Sequence, residues 1–338
     1  MRAFKIIDKG ETGFFEIEKP SPKEGEVLIL VKKVGYCGSD LNTFRGVNPL
    51  VKYPRIPGHE LSGIVAEVGS NVPEGIKIGT QAAITPQTAC GKCSSCRNNR
   101  PNACRFNETL GVQRDGALTD YIVVPWGKLV IDNSLNLTKL ALLEPLAVGF
   151  HAAKRGEVKK GDKVAVLGCG VIGLGAIAGA NFRGAEVIAI DIADEKFDAA
   201  KTAGATHTIN SMKDNVHDRL LELTDGHGPD VIIEAVGNAL TYKMAVDEVC
   251  FTGKVVYIGY TSQPVSYETK YFVMKEIDIR GSRGSDKQDF EDVLSVVKAG
   301  KLDPEQIVSH TFTFDKADEA IQLWANDPSK VTKIVIEL

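Results

Sequence analysis

Between residues 163 and 191 the chain carries a pattern that few folds accommodate. The apolar run Lys163–Leu167 (KVAVL) meets the turn Gly168-Cys169-Gly170-Val171-Ile172-Gly173, which opens into the small, apolar stretch Val171–Arg183. The order is strand, glycine turn, helix, and in that context G-x-G-x-x-G reads as a dinucleotide site. The first glycine permits the tight turn, the second lets the backbone approach a pyrophosphate, and the third lets helix and strand pack closely. The helix start at Val171 and Ile172 offers free N–H groups to phosphate. Asp191 closes the next apolar run, Glu186–Asp191 (EVIAID), where an acid binds ribose hydroxyls and repels a 2′-phosphate, so NAD is expected over NADP. The competing reading is a similar turn kept for packing, with Asp191 merely solvated.

The alternation continues. Helical Glu195–Ala203, Val216–Leu223 and Leu240–Val249 interleave with strand-like Thr206–Ile209, Asp230–Ala235, Lys254–Ile258 and Ile277–Arg280. Such alternation predicts a parallel sheet covered by helices on both faces. The first 145 or so residues differ. Glu26–Val34, Leu61–Val68, Thr80–Ile84 and Thr119–Val124 are β-rich runs bounded by Gly, Pro and Asn. After Arg280 come two helix-like stretches, Asp286–Ala299 and Ala317–Ala325, and a last strand, Lys333–Leu338, with no place in the preceding unit. The expectation is an α/β chain of two domains. Residues 1–147 with 283–338 form a β-rich domain, and 148–282 form a doubly wound Rossmann domain.

Composition narrows the function. At net charge −4 with no basic run, neither nucleic acid nor an anionic membrane is expected as partner. Val164–Phe182 is long and uncharged, but its glycines divide it into strand, turn and helix rather than a membrane span. Met1–Phe15 carries Asp8 and Glu11 and no long apolar stretch, so no signal peptide is expected. Of seven cysteines, four fall within fifteen residues as Cys90-x2-Cys93-x2-Cys96-x7-Cys104. That spacing suits a tetrahedral zinc held by four thiolates, closed and therefore structural. Lys92, Arg97, Arg100 and Lys128 stand ready to offset its negative charge. An iron–sulfur cluster or two disulfides are the alternatives; reduced thiols in a cytoplasmic protein are the expectation. Cys169 and Cys250 read as small core residues.

Three further pieces carry metal-ligand types: Gly35-Tyr36-Cys37-Gly38-Ser39-Asp40, Gly58-His59-Glu60 and Leu143-Glu144-Pro145-Leu146-Ala147. Taken singly, each is ambiguous. Cys37 reads equally as a buried hydrophobe, His59 as a satisfied core residue, and Glu144 as a salt-bridge partner.

Their order along the chain resolves the ambiguity. Cys-Gly-Ser-Asp, then Gly-His-Glu, the four cysteines, Glu-Pro-Leu and G-x-G-x-x-G together resemble the zinc-containing medium-chain dehydrogenases, over about Cys37 to Asp191. The tail, Ser309-His310-Thr311-Phe312 to Glu319-Ala320, is also similar. Glu144-Pro145 points to the polyol, sugar-acid and threonine dehydrogenase branch. Asn48–Arg55 and Gly281-Ser282-Arg283 resemble sugar-acid members such as L-galactonate 5-dehydrogenase.

The resemblance implies a GroES-like catalytic domain interrupted by the Rossmann domain, with the active site in the cleft between them. It implies two zinc ions per chain, NAD as cofactor, and oxidation of a secondary alcohol of a polyhydroxy substrate to a ketone. By it, Cys37 and His59 are catalytic-zinc ligands, Glu60 or Glu144 is the third, and Ser39 starts a proton relay while Asp40 orients its neighbours. Asn42 stands where many relatives carry histidine, which counts against the L-threonine 3-dehydrogenase alternative; a non-catalytic NAD-binding protein with structural zinc alone is the alternative of another class. Arg45, Asn48, Tyr53 and Arg55 lie in the loop expected to line the cleft, with Arg45 or Arg283 a candidate partner for a substrate carboxylate. Relatives form homodimers or homotetramers.

Overall fold

A computed structural model describes residues 1–261 and 263–338. The chain divides into two compact units. The first comprises residues 1–144, 286–291 and 303–338; the second comprises 145–285 and 292–302.

Among the described residues fifteen strands follow in chain order. In the first unit they are β1 (Arg2–Asp8), β2 (Glu11–Glu16), β3 (Glu26–Gly35), β4 (Glu60–Val68), β5 (Gln81–Ile84), β6 (Tyr121–Pro125) and β7 (Leu129–Ile131). The second unit holds β8 (Lys163–Leu167), β9 (Glu186–Asp191), β10 (His207–Asn210), β11 (Val231–Glu234), β12 (Lys254–Tyr257) and β13 (Asp278–Gly281). The chain then supplies β14 (His310–Thr313) and β15 (Ile334–Glu337) to the first unit.

The second unit is a six-stranded parallel sheet in the order β10-β9-β8-β11-β12-β13. That is the doubly wound order, with its switch point between β8 and β11, where ligands bind beyond the strand ends. Ala165, Ile188, Ile232 and Val255 are fully buried, as expected of a parallel sheet covered on both faces. Gly173 shows why the turn demands its spacing: a Cβ there would lie 1.8 Å from the Gly168 carbonyl oxygen.

The first unit is built on a seven-stranded mixed sheet, β14-β15-β3-β4-β5-β7, with β6 pairing β3. The terminal strand β15 runs antiparallel to β3, placing Val335 opposite Gly35. Ile29, Val31, Val34, Leu61 and Ile336 form part of its core. Among the elements that go beyond the sequence reading are the hairpin β1–β2, a helix over Gly38–Phe44, and a helix over Leu143–Arg155 with Glu144 in its first turn. Among the described residues no helix is long and apolar enough to cross a membrane.

Candidate functional site

The first ligand piece is shaped by a local device. Cys37 is the N-cap of the helix Gly38–Phe44, and its N–H donates to Asp40 Oδ2 at 2.9 Å. Asp40 Oδ1 also accepts from the Gly58 N–H at 3.2 Å. One buried carboxylate therefore ties the Cys37 turn to the Gly58-His59 segment. The ligand atoms of Cys37, His59 and Glu60 come within 4.8 Å of one another. His59 Nδ1 and Ser39 Oγ are buried there without a hydrogen-bond partner, and such orphaned polar atoms call for an absent ligand or ion. A thiol, an imidazole and a carboxyl group form a donor set suited to zinc.

Glu144, 5% exposed in the first turn of its helix, stands outside that trio but within electrostatic reach of it. Pro145 fits because N–H groups in the first turn of a helix make no intrahelical hydrogen bond that proline would remove. Burial, reinforced by Glu60 and Asp40 against the pull of His59 and Lys333, pushes Glu144 up to about 7. Burial likewise raises Asp40. For His59, burial acts downward, but Cys37, Asp40 and Glu144 outweigh it and hold the imidazolium well above its ordinary value. Without metal these groups hold extra protons, which a divalent cation would displace.

A pH dependence follows from Glu144. A carboxyl whose folded pKa exceeds its unfolded value binds its proton more tightly when folded. Its contribution is fully present below about 4.5 and is lost as pH rises through about 7. The metal-free protein should thus lose about 3 kcal/mol across that window from Glu144, at 1.36 kcal/mol per unit. Urea unfolding of chelated protein at pH 4.5 and 7.5 checks this, and Glu144→Gln should flatten the difference by that amount. An unchanged slope in the variant would place the effect elsewhere.

Lys333 is the residue that sequence reasoning missed. Its Nζ donates to Glu60 Oε1 at 2.7 Å, Glu60 Oε2 at 2.6 Å and the Tyr36 carbonyl at 3.0 Å. It lies 273 positions from Glu60, so spacing gave no signal.

The four-cysteine lobe closes as its spacing predicts. All four Sγ atoms lie within 4.8 Å of one another, with Cys93 at 3.6 Å from Cys96 and 3.7 Å from Cys104. Those gaps are far too long for disulfides. They match the edge of about 3.8 Å for a tetrahedron whose sulfurs lie about 2.3 Å from a central zinc. The N–H groups of Cys90 and Phe106 point at Cys104 Sγ, and that of Cys93 at Cys90 Sγ. Of the expected compensating cations, Arg97 donates to the Lys92 carbonyl and Lys128 to the Gln87 carbonyl.

In the second unit a cavity of about 360 Å³ opens over the glycine turn, lined among others by Gly168, Gly170, Asp191, Lys196 and Val236. Asp191 Oδ2 accepts from the Cys169 N–H at 2.7 Å, locking the end of β9 to the turn. Lys196 Nζ reaches both Asp191 oxygens, at 3.2 and 3.3 Å. This cation, on the turn after β9, was absent from the sequence reading. Gly170 caps the helix Val171–Phe182, whose first N–H groups belong to Val171 and Ile172.

Several polar side chains of the loop expected to line the cleft are engaged with the protein. Asn48 Nδ2 donates to the Ser39 carbonyl and Thr43 Oγ1, and Tyr53 Oη donates to the Thr43 carbonyl. Arg45 donates to the Ala325 carbonyl, and Arg55 pairs with Asp115.

Comparison with known proteins agrees with this geometry. Residues 23–132 match the alcohol dehydrogenase GroES-like domain and residues 171–299 the zinc-binding dehydrogenase domain. The chain is 31% identical to L-galactonate-5-dehydrogenase of Escherichia coli K12, over 88% of this chain and 87% of that one. It is 33% identical to the sorbitol dehydrogenase of Halalkalibacterium halodurans, over 91% and 92%. The crystal structure of the alcohol dehydrogenase RspB from Escherichia coli CFT073, complexed with NADH, superposes with a TM-score of 0.91 at 30% identity, covering 100% and 99% of the two chains. The glycine turn, the closed thiol lobe and the Cys37–His59–Glu60 trio thus stand in a chain that belongs to the zinc-type medium-chain alcohol dehydrogenases.

Proposed function

We propose that this protein oxidises a secondary alcohol of a polyol or sugar acid to a ketone, with zinc and NAD. The observation that carries the reading is the Cys37–His59–Glu60 trio with its bare, buried His59 Nδ1. In this reading the first unit is the catalytic GroES-like domain and the second the NAD-binding domain. One zinc belongs to Cys90, Cys93, Cys96 and Cys104; a second belongs to Cys37, His59 and a carboxylate from Glu60 or Glu144.

When bound, zinc supplies Lewis acidity toward a hydroxyl and NAD accepts hydride. The chain's own residues do the rest. In this reading Ser39 takes up the hydroxyl proton as it passes its own on, a role supported by its buried, unpartnered Oγ. Asn42 cannot carry that proton further, so in this reading it leaves through the cofactor ribose, through water, or through Glu60 and Glu144. Asp40 fixes the backbone of both ligand segments. Asp191 and Lys196 together address ribose hydroxyls, and the carboxylate favours NAD over NADP. Polyhydroxy substrates are supported by the sorbitol and L-galactonate relatives. Assembly into homodimers or homotetramers is supported by the open edge of β13, and a cytoplasmic location by the free cysteines.

The test is NADH formation by zinc-loaded protein across polyols, aldonic acids and L-threonine, repeated with NADP. Turnover of one polyol or sugar acid with NAD is expected. Silence together with only one bound zinc per chain would turn the reading to a non-catalytic NAD-binding protein.

A further inference from the structure

We propose that Lys333 is a positioning residue that shares Glu60 with the catalytic metal, and thereby keeps that metal loosely and exchangeably held. The inference rests on the assignment of Cys37, His59 and Glu60 as a zinc site.

The geometry is specific. Lys333 is 4% exposed and Glu60 1%. All three ammonium hydrogens are spoken for, two by the Glu60 oxygens and one by the Tyr36 carbonyl. The lysine backbone is pinned as well, since its carbonyl accepts from the Ser309 N–H at 2.9 Å and the Ser309 hydroxyl at 3.1 Å. Its own N–H donates to Ser309 Oγ at 3.3 Å. Glu60 has little freedom to leave. It sits opposite Gly35 in the β3–β4 register, and a Cβ on Gly35 would lie 2.2 Å from Glu60 Oε2. The missing side chain of Gly35 is the space in which the carboxylate and the ammonium meet.

The sign of the effect follows from charge. A carboxylate bound on both oxygens by a buried ammonium has less electron density to give a metal. A fixed cation in contact with a ligand also repels a divalent ion, and does so strongly where water is excluded. Removing the charge of Lys333 therefore frees Glu60 to bind zinc harder. In the metal-loaded protein zinc takes over as the counter-ion of Glu60, so the penalty for an unpaired buried carboxylate falls mainly on the metal-free form.

The experiment follows zinc loss from the full-length, zinc-loaded protein into excess chelator, with zinc per chain measured alongside. Lys333→Met should release the zinc of the Cys37 site at least about tenfold more slowly than wild type, with release from the four-cysteine site unchanged as internal control. Lys333→Arg keeps the charge and should track wild type. Lys333→Gln, which retains donors for Tyr36 without charge, gives the same readout should the methionine variant not fold. Equal or faster release in the neutral variants overturns the proposal, as does failure of both to fold beside a sound Lys333→Arg, which would make the lysine purely structural. Wild type carrying one zinc per chain would instead sink the assignment of the Cys37 site itself. Two zincs with unchanged release in Lys333→Met would sink only the role of the lysine.

Discussion

Replacing Cys37 by serine should lower kcat/KM for alcohol oxidation by about a thousandfold or more, roughly 4 kcal/mol of transition-state stabilisation at 1.36 kcal/mol per tenfold, and should take bound zinc from two per chain to one. The thiolate is the strongest donor of the trio, and a serine hydroxyl stays protonated and neutral at neutral pH. His59 and Glu60 would remain, with Glu60 already shared with Lys333. The fold should survive. What Cys37 gives its helix is a backbone N–H to Asp40, which serine keeps, and serine is itself a preferred N-cap. Thermal midpoint and NADH binding should therefore stay close to wild type while turnover collapses. Retained activity would show that the trio does not hold the reacting metal. Collapse of the midpoint along with activity would show that Cys37 is a structural residue.

Local features of the site were legible in the sequence and distant ones were not. The glycine turn and the four cysteines declare themselves because their chemistry is completed within about twenty residues, so spacing stands in for geometry. The Rossmann strands declare themselves because a strand buried on both faces must be apolar throughout. The helix Leu143–Arg155 was hidden by Pro145, which reads as a break yet costs nothing in a first turn. The hairpin β1–β2 was passed over although Gly10, at φ +72°, marks its turn. Lys333 and Gly35 had no local signal at all. One arrives on the last strand and the other contributes only by lacking a side chain. The polar residues of the 45–55 loop suit a substrate by type, and their partners in the structure, backbone carbonyls and neighbouring side chains of the same unit, could not be read from the sequence.

Replacing Cys104 by serine should undo the thiol lobe without touching the Cys37 site, and the same treatment distinguishes a structural from a catalytic metal. Cys104 is the fully buried member of the four and accepts N–H groups from Cys90 and Phe106. The lobe has little else to hold it. Its helix, Ser94–Arg97, is four residues long and buries none of them, too short to persist alone. Structural zinc is worth about 10–16 kcal/mol in small zinc-bound peptides, far more than these few turns supply. Loss of the ion should thus melt residues 88–107 locally, while the sheet of the first unit, with its own core, stays folded. Lys92, Arg97 and Arg105 are exposed in this lobe and become the reporter. Trypsin should cut after them within minutes in Cys104→Ser and in chelated wild type, and slowly in the zinc-loaded protein. The variant should keep one zinc, at the Cys37 site, and keep measurable turnover. Equal resistance to trypsin in variant and wild type would mean that the loop folds on its own contacts, and that its four sulfurs gather for a reason other than a metal.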